Sequence, residues 1–286
     1  MTSSNRLPVL LSLLALYIIW GSTYFAIRVG VQSWPPFMMA GVRFLLAGLL
    51  MYGWLRWRGA PNPNRRELAG AALLGFLMPA IGNGLVTMAE TRVSSGVAAL
   101  MVATVPLFTT LFARLLGQPT QLREWLALLL GFCGIVLLNF GANLAASPFG
   151  AVLLILACIG WALGSALNKR VTQPKGMMAS AMMMLCAGLQ LLLASALTGE
   201  HLQTMPPLAG WLAMLYLAVF GSIIAYSAYI YLLAHVRPSL ATSYAYVNPV
   251  IAVLLGMGLL NEQVGGMEVA GMAVIVSAVV MLAWRR

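Results

Sequence analysis

The chain has 286 residues, of which 62% are hydrophobic and 8% charged, with a formal net charge of +10. A soluble domain carries roughly a quarter charged residues, so a single water-facing globule is excluded and the surplus apolar surface faces lipid. Asp is absent and the six acids are all Glu, which leaves little material for acid–base or metal chemistry.

A helix needs roughly 20 apolar residues to cross the hydrocarbon. Charge interrupts the apolar runs so that the first half gives Leu7–Ile27, Pro36–Leu55, Leu68–Ala89, Ser94–Gly117 and Trp125–Phe140. The second half gives Phe149–Asn168, Met177–Leu197, Leu208–Ala234, Pro238–Leu260 and Met267–Trp284. The expected fold is an all-α polytopic membrane protein of ten helices with short connections. Leu7–Ile27 is longer than a signal-peptide core and lacks an A-x-A-like cleavage site, so it reads as a retained helix.

The ten spans are written as two sets of five. Ala40–Leu50 (AGVRFLLAGLL) is repeated as Ala187–Leu197 (AGLQLLLASAL), and Leu68-Ala69-Gly70 as Leu208-Ala209-Gly210. Val105-Pro106 answers to Asn248-Pro249, and Trp20-Gly21-Ser22 to Trp161-Ala162-Leu163-Gly164-Ser165. The implied units are residues 7–143 and 149–285.

Lys and Arg in short loops mark the cytoplasmic side. One side collects Arg6, Arg56, Arg58, Arg65, Arg66, Arg114, Arg123, Lys169, Arg170, Lys175, Arg237, Arg285 and Arg286. The other receives Arg28 and Arg92 with Glu90, Glu200, Glu262 and Glu268. Both termini are therefore expected in the cytoplasm. Five spans per half make the second copy enter from the opposite side, giving an inverted repeat and the geometry of a transporter. The basic balance follows from this bias and from contact with anionic lipid, and implies no nucleic-acid partner.

Enzyme chemistry finds no foothold. No nucleophile, zinc or nucleotide motif occurs, so no catalytic residue, metal, nucleotide or other cofactor is expected, and no obligate protein partner is implied. Cys133, Cys158 and Cys186 fall within spans without a C-x-x-C pair.

The candidate solute path is read from residues that are costly or unusual in a bilayer. Arg43 lies well inside a span, where an unpaired Arg costs on the order of 2.5–3.5 kcal/mol. It either holds an anionic group or snorkels to a helix end, and its mate Gln190 keeps hydrogen bonding without charge. Pro106 and Pro249 each remove a helix hydrogen bond, and the freed carbonyls are tolerated against protein or a wet cavity. Thr104 and Asn248 adjoin them, while Pro79 and Asn83 give the third span a similar break. These prolines are read as hinges or as packing kinks. Trp20, Tyr24, Trp161, Tyr226 and Tyr244 would wall a pocket or pack the helices, and such walls suit a neutral or amphiphilic solute. Met177, Met178 and Met182–Met184 read as a packing or lipid-facing stripe. Glu90 and Glu262 read as solvated helix ends.

The motifs Trp20-Gly21-Ser22, Arg43-Phe44-Leu45-Leu46-Ala47 and Ser95-Gly96-Val97-Ala98-Ala99-Leu100 before Pro106 resemble the drug/metabolite transporter superfamily, in the form built from two EamA domains. Trp161, Pro238-Ser239-Leu240-Ala241 before Pro249, and Glu262 extend the resemblance into the second half. It implies a ten-helix inner-membrane carrier, alternating in access, with a central cavity lined by both halves. Where the family often places Glu after the fourth helix, this chain has Gln118-Pro119. The expected function is secondary export of small organic metabolites, amino-acid-like solutes or xenobiotics. The alternative is a non-transporting sensory or lipid-binding membrane subunit.

Overall fold

The computed structural model describes residues 6–93, 95–138, 148–251 and 266–283, and among these the regular secondary structure is all helix. Among the described residues six helices are long and apolar enough to cross a membrane. They are α1 (Arg6–Gly30), α2 (Pro36–Trp57), α3 (Arg65–Ala89), α7 (Pro148–Leu167), α8 (Met177–Leu197) and α9 (Leu208–His235). Between and after them lie α4 (Ser95–Val102), α5 (Val105–Leu115), α6 (Leu122–Leu138), α10 (Pro238–Ala241), α11 (residues 244–251) and α12 (Gly266–Ala283).

The fourth expected span, Ser94–Gly117, is divided rather than continuous. A turn at Ala103 and Thr104 separates α4 from α5, so Pro106 stands in the first turn of a new helix. At that place its missing N–H costs nothing, because the first N–H groups of any helix lack intrahelical partners. Pro249 remains inside α11. The far part of the ninth span with Glu262, together with Phe140 and Trp284, lies outside the described residues.

Two long helices share an irregularity that the sequence reading found only in one. Phe76–Asn83 of α3 and Leu217–Ile224 of α9 are wound as π-helix. Pro79 lies in the first segment, but the second contains no proline. Proline alone therefore does not account for the winding. What the two segments have in common is a glycine, Gly82 and Gly221, at which another helix approaches closely.

Small residues set the packing. A Cβ on Gly41 of α2 would lie 2.9 Å from Leu192 Cγ of α8, and a Cβ on Gly188 of α8 would lie 2.6 Å from the Leu45 backbone nitrogen of α2. Gly41 and Gly188 occupy the same place in the doubled segment, as do Leu45 and Leu192. The contact is thus reciprocal between the two doubled segments, and glycine permits the close helix approach. α6 and α12 pack as tightly at Gly134, where a Cβ would meet Ile275 at 2.8 Å.

Helix α2 begins Pro35-Pro36 and has no side-chain cap of its own. Its first-turn donors are taken instead by Glu200, from the loop after α8: Phe37 N donates at 3.2 Å and Met38 N at 2.8 Å. A carboxylate there also complements the positive end of the helix. α3, by contrast, starts with a local capping box of Asn64 and Glu67.

The methionine stripe is a packing element. Met178 and Met182–Met184 are buried, and Met183 Sδ accepts a hydrogen bond from the Tyr226 hydroxyl at 3.2 Å. Met177 is exposed.

Candidate functional site

The doubled Trp residues place the centre of the molecule. Trp20 of α1 donates from Nε1 to the Gly221 carbonyl at 3.0 Å, against the π-wound segment of α9. Trp161 of α7 covers Gly82, in the π-wound segment of α3, so closely that a Cβ there would lie 2.6 Å from the indole ring. Each half thus sends a Trp onto the irregular glycine of the other.

The two indoles meet edge to face, with ring centroids 5.4 Å apart. Trp20 also stands 5.2 Å from Tyr229 and 4.6 Å from Tyr244. A closed hydrogen-bond ring fixes one side of this box. Trp161 Nε1 donates to the Tyr229 hydroxyl at 3.1 Å, Tyr229 donates to Ser165 Oγ at 2.6 Å, and Ser165 donates back to the Trp161 carbonyl at 2.6 Å. Every polar atom in that ring is satisfied without solvent, so the aromatic wall is rigid.

Beside the box lies a cavity of about 70 Å³, room for a few waters or a small solute. Its lining includes Trp20, Tyr24, Arg43 and Asn83 from the first half, and Trp161, Tyr244 and Asn248 from the second. The sequence reading had singled out all seven. It had not assigned Thr23, Ile27, Val86, Val102, Val105, Ala157 and Cys158, which complete the wall with Gly82 and Gly221. Small and β-branched residues in an apolar span carry no signal that separates a cavity wall from ordinary packing.

Arg43 does not snorkel. It is 3% exposed, its Nη2 donates to Asn83 Oδ1 at 2.7 Å, and its guanidinium carbon lies 4.4 Å from the centre of the Phe44 ring. Asn83 is held in turn by Thr87, whose hydroxyl donates to the Asn83 carbonyl at 2.9 Å. Among the described residues Arg43 Nε has no hydrogen-bond partner, and neither has Asn248 Oδ1, another residue of the cavity lining. Buried polar atoms are normally paired, so two open ones facing a cavity mark a place for a polar ligand or for water. The mate of Arg43, Gln190, donates to the Ala72 carbonyl at 3.2 Å and is absent from the lining.

Two of the expected residues stand back from the cavity. The Thr104 hydroxyl donates to the Met101 carbonyl at 2.7 Å, in the turn that ends α4. Tyr226 lies behind Trp161, at a centroid separation of 6.3 Å. Pro79, Pro106 and Pro249 are not part of the wall either.

Glu90 departs from the sequence expectation. It is the first residue after α3 and is fully buried rather than solvated. Its backbone carbonyl accepts from Arg28 Nη1 at 2.7 Å, while both carboxyl oxygens lack partners.

A second recess, wider at about 450 Å³, lies among the loops at the start of α6 and α10. Its polar groups are largely spoken for. Glu124 accepts from Arg237 at 3.1 Å, from Ser239 at 2.8 Å and from the Gln121 backbone N–H at 3.0 Å. Gln118 donates to the Ala166 carbonyl and Lys169 to the Val236 carbonyl. The smaller cavity, with open polar atoms deep between the long helices, is the better candidate for a ligand.

An aromatic-walled polar cavity enclosed by apolar helices of bilayer length is the construction of a membrane transporter. The comparisons with known proteins narrow that class. Residues 7–140 and 148–284 each match the EamA-like transporter family, and the chain belongs to that family, within the drug/metabolite transporter superfamily. It is similar to the inner membrane transporter YedA of Escherichia coli strain K12, at 55% identity over 277 residues covering 96% of this chain and 90% of that protein. Protein PecM of Dickeya dadantii is 30% identical over 278 residues, covering 92% of this chain and 88% of PecM. A solved crystal structure at 20% identity superposes with a TM-score of 0.79, over 96% of this chain and 98% of that one, so the fold is shared. The protein is a multi-pass inner membrane transporter, not an enzyme, and membership of a transporter family implies a small-molecule solute and a lipid environment.

Proposed function

We propose that this transporter is a secondary carrier, exporting a small organic metabolite, an amino-acid-like solute or a xenobiotic from the cytoplasm by alternating access. In this reading ten helices form two inverted five-helix repeats, residues 7–143 and 149–285, with both termini cytoplasmic. The observation that carries it is a single cavity whose polar groups come from both halves: Arg43 and Asn83 from one, Asn248 from the other. Two of these groups have an unpartnered buried atom. The solute's polar group binds to them and its body lies against Trp20, Trp161 and Tyr244.

Two reciprocal pairs support the inverted repeat. Gly41 meets Leu192 as Gly188 meets Leu45, and Trp20 meets Gly221 as Trp161 meets Gly82. Such pairs allow the halves to exchange roles, so that rocking exposes the cavity to each side in turn. The turn at Ala103 and Thr104 and the π-wound segments supply places where helices bend without breaking a regular ladder.

The experiment is flux into proteoliposomes for a panel of labelled amino acids and small organic acids. It is paired with alkylation of Cys158, which lines the cavity, in a variant carrying Cys133→Ser and Cys186→Ser. The expected result is saturable uptake of at least one solute, with Cys158 reactivity that changes when that solute is added. No flux above empty liposomes, together with unchanging Cys158 reactivity, would favour a non-transporting membrane subunit.

A further inference from the structure

The carboxyl of Glu90 is a buried ionisable group for which the solute reading has no use. It follows directly on α3, one turn beyond the cavity-lining Val86 and therefore on the same face of that helix. Its surroundings are one-sided. Arg28 and Tyr24 act on it from α1 and Arg43 from α2. α4 brings no titratable residue, α7 brings only Cys158, and neighbouring Arg92 is exposed with its guanidinium over the Phe149 ring. Arg28 spends its observed hydrogen bond on the Glu90 backbone carbonyl, and Arg43 spends its own on Asn83. Among the described residues neither carboxyl oxygen receives a donor.

An ionised carboxylate only accepts hydrogen bonds, and burying one without a donor is far more costly than burying the neutral acid. Burial pushes the Glu90 carboxyl well above the usual carboxylate range, against the opposing pull of Arg28 and Arg43. With Glu90 neutral, the Arg43 charge has no counter-charge among the described residues lining the cavity. With Glu90 ionised, the two offset each other. The charge seen by a solute at Arg43 is therefore set by whether Glu90 holds a proton.

We propose that Glu90 is a proton-binding site linked to an anion site at Arg43, so that a small monocarboxylate and a proton bind to the transporter together. The one positive charge at Arg43 balances one carboxylate better than a multiply charged phosphate, and the cavity volume suits a small one. The linkage is reciprocal: the anion tightens the proton on Glu90, and the proton strengthens the anion's hold at Arg43. Carrying both makes the loaded site electrically balanced, with no nucleotide required. The inference rests on the Arg43 cavity as the solute path, but its protonation arm can be read without any transport.

The test is infrared difference titration of the full chain in lipid nanodiscs, following the C=O stretch of protonated carboxylic acid. At neutral pH the unmodified protein should show a buried protonated carboxyl that deuterium exchange shifts, and Glu90→Gln should remove it. Benzoate, used as the probe, should raise the pH midpoint of that band by about one unit, equivalent to about tenfold tighter proton binding. Arg43→Gln should keep the band and lose the benzoate shift, which also shows that the variant is folded. A band that survives Glu90→Gln, or no band in the unmodified protein, would overturn the proton site. A midpoint that benzoate leaves in place would overturn the linkage. Solute flux in the proteoliposome assay with no such band would leave the carrier reading standing and remove this one alone.

Discussion

The Trp20 indole and the Gly221 carbonyl are hydrogen-bonded at 3.0 Å across the two halves of the molecule. The equivalent pair, Trp161 and Gly82, meets by ring contact instead. Both contacts fall where a long helix winds as π-helix. A π-turn opens the regular hydrogen-bond ladder, and here the opened backbone is covered by an indole from the other half. The halves are therefore fastened together at the places where each is least regular.

The two glycines should differ in tolerance. A Cβ at position 82 would lie 2.6 Å from the Trp161 ring and 3.1 Å from its Cβ, whereas one at position 221 would lie 3.2 Å from a Thr23 methyl. Gly82→Ala should destabilise by about 1–3 kcal/mol as an overpacked core does, and Gly221→Ala by clearly less. Thermal unfolding of the two variants in the same detergent checks the order. Equal losses would mean that the indole moves aside freely.

Removing one hydroxyl should loosen the aromatic box. Tyr229→Phe leaves Trp161 Nε1 and Ser165 without their shared partner in a buried site. The expected loss is about 1–3 kcal/mol, the usual cost of an orphaned buried donor. The same thermal measurement checks it, with Tyr52→Phe as a control, since the Tyr52 hydroxyl bonds to Asn62 at an exposed position.

Arg43→Gln separates charge from hydrogen bonding. Glutamine can still donate towards Asn83 Oδ1, so the protein should melt no lower than the unmodified one, because a buried unpaired charge has been removed. Flux should nevertheless fall by at least about tenfold, the value of a lost charge-assisted contact. Unchanged flux at normal expression would reduce Arg43 to a structural residue.

The pH dependence of stability carries a definite sign. Glu90 is raised above its ordinary range in the folded protein, chiefly by burial. In the window between the ordinary carboxylate value and the raised one, the folded state holds a proton that the unfolded state has released. Stability is then fully present below that window and is lost as pH rises through it. Glu90→Gln should flatten the slope of melting temperature against pH over this range. A slope that persists in the variant would place its origin elsewhere.

The Glu124–Arg237 pair should respond unequally to its two deletions. Arg237 is 46% exposed and Glu124 7%. Arg237→Ala should cost less than about 1 kcal/mol, as for a solvent-screened ion pair. Glu124→Ala strips the partner from Ser239 and the Gln121 N–H as well, and should cost about 1–3 kcal/mol. Melting curves of both variants distinguish the two outcomes.

Much of this was readable from sequence because lipid imposes strong rules. Apolar length gave the six long helices, and the doubling of Trp20 and Trp161 pointed to residues that the structure brings within one box. Arg43 was conspicuous because a charge in a span needs a reason. What escaped was geometry without compositional expression. The π-winding at Leu217–Ile224 has no proline to announce it, and a continuous-looking run hid the turn at Ala103 and Thr104. Glu90 was misjudged because a Glu at a helix end is normally wet. Only the packed neighbours reveal that this one is enclosed. Thr104 stands out only because it lies just before Pro106, and Tyr226 only as an aromatic within a span; neither fact fixes which way a side chain faces.

The capping of α2 by Glu200 has a consequence for how the protein is made. The first-turn N–H groups of Phe37 and Met38 find their acceptor only on a loop that follows α8, more than half a chain later. While the first half is already in the bilayer, the start of α2 is left bare, and the ribosome must finish α8 before it can be closed. The protein cap of the first half's second helix is thus supplied by the second half. A nascent chain halted before residue 200 would present an open helix end to quality control, and the completed chain would not.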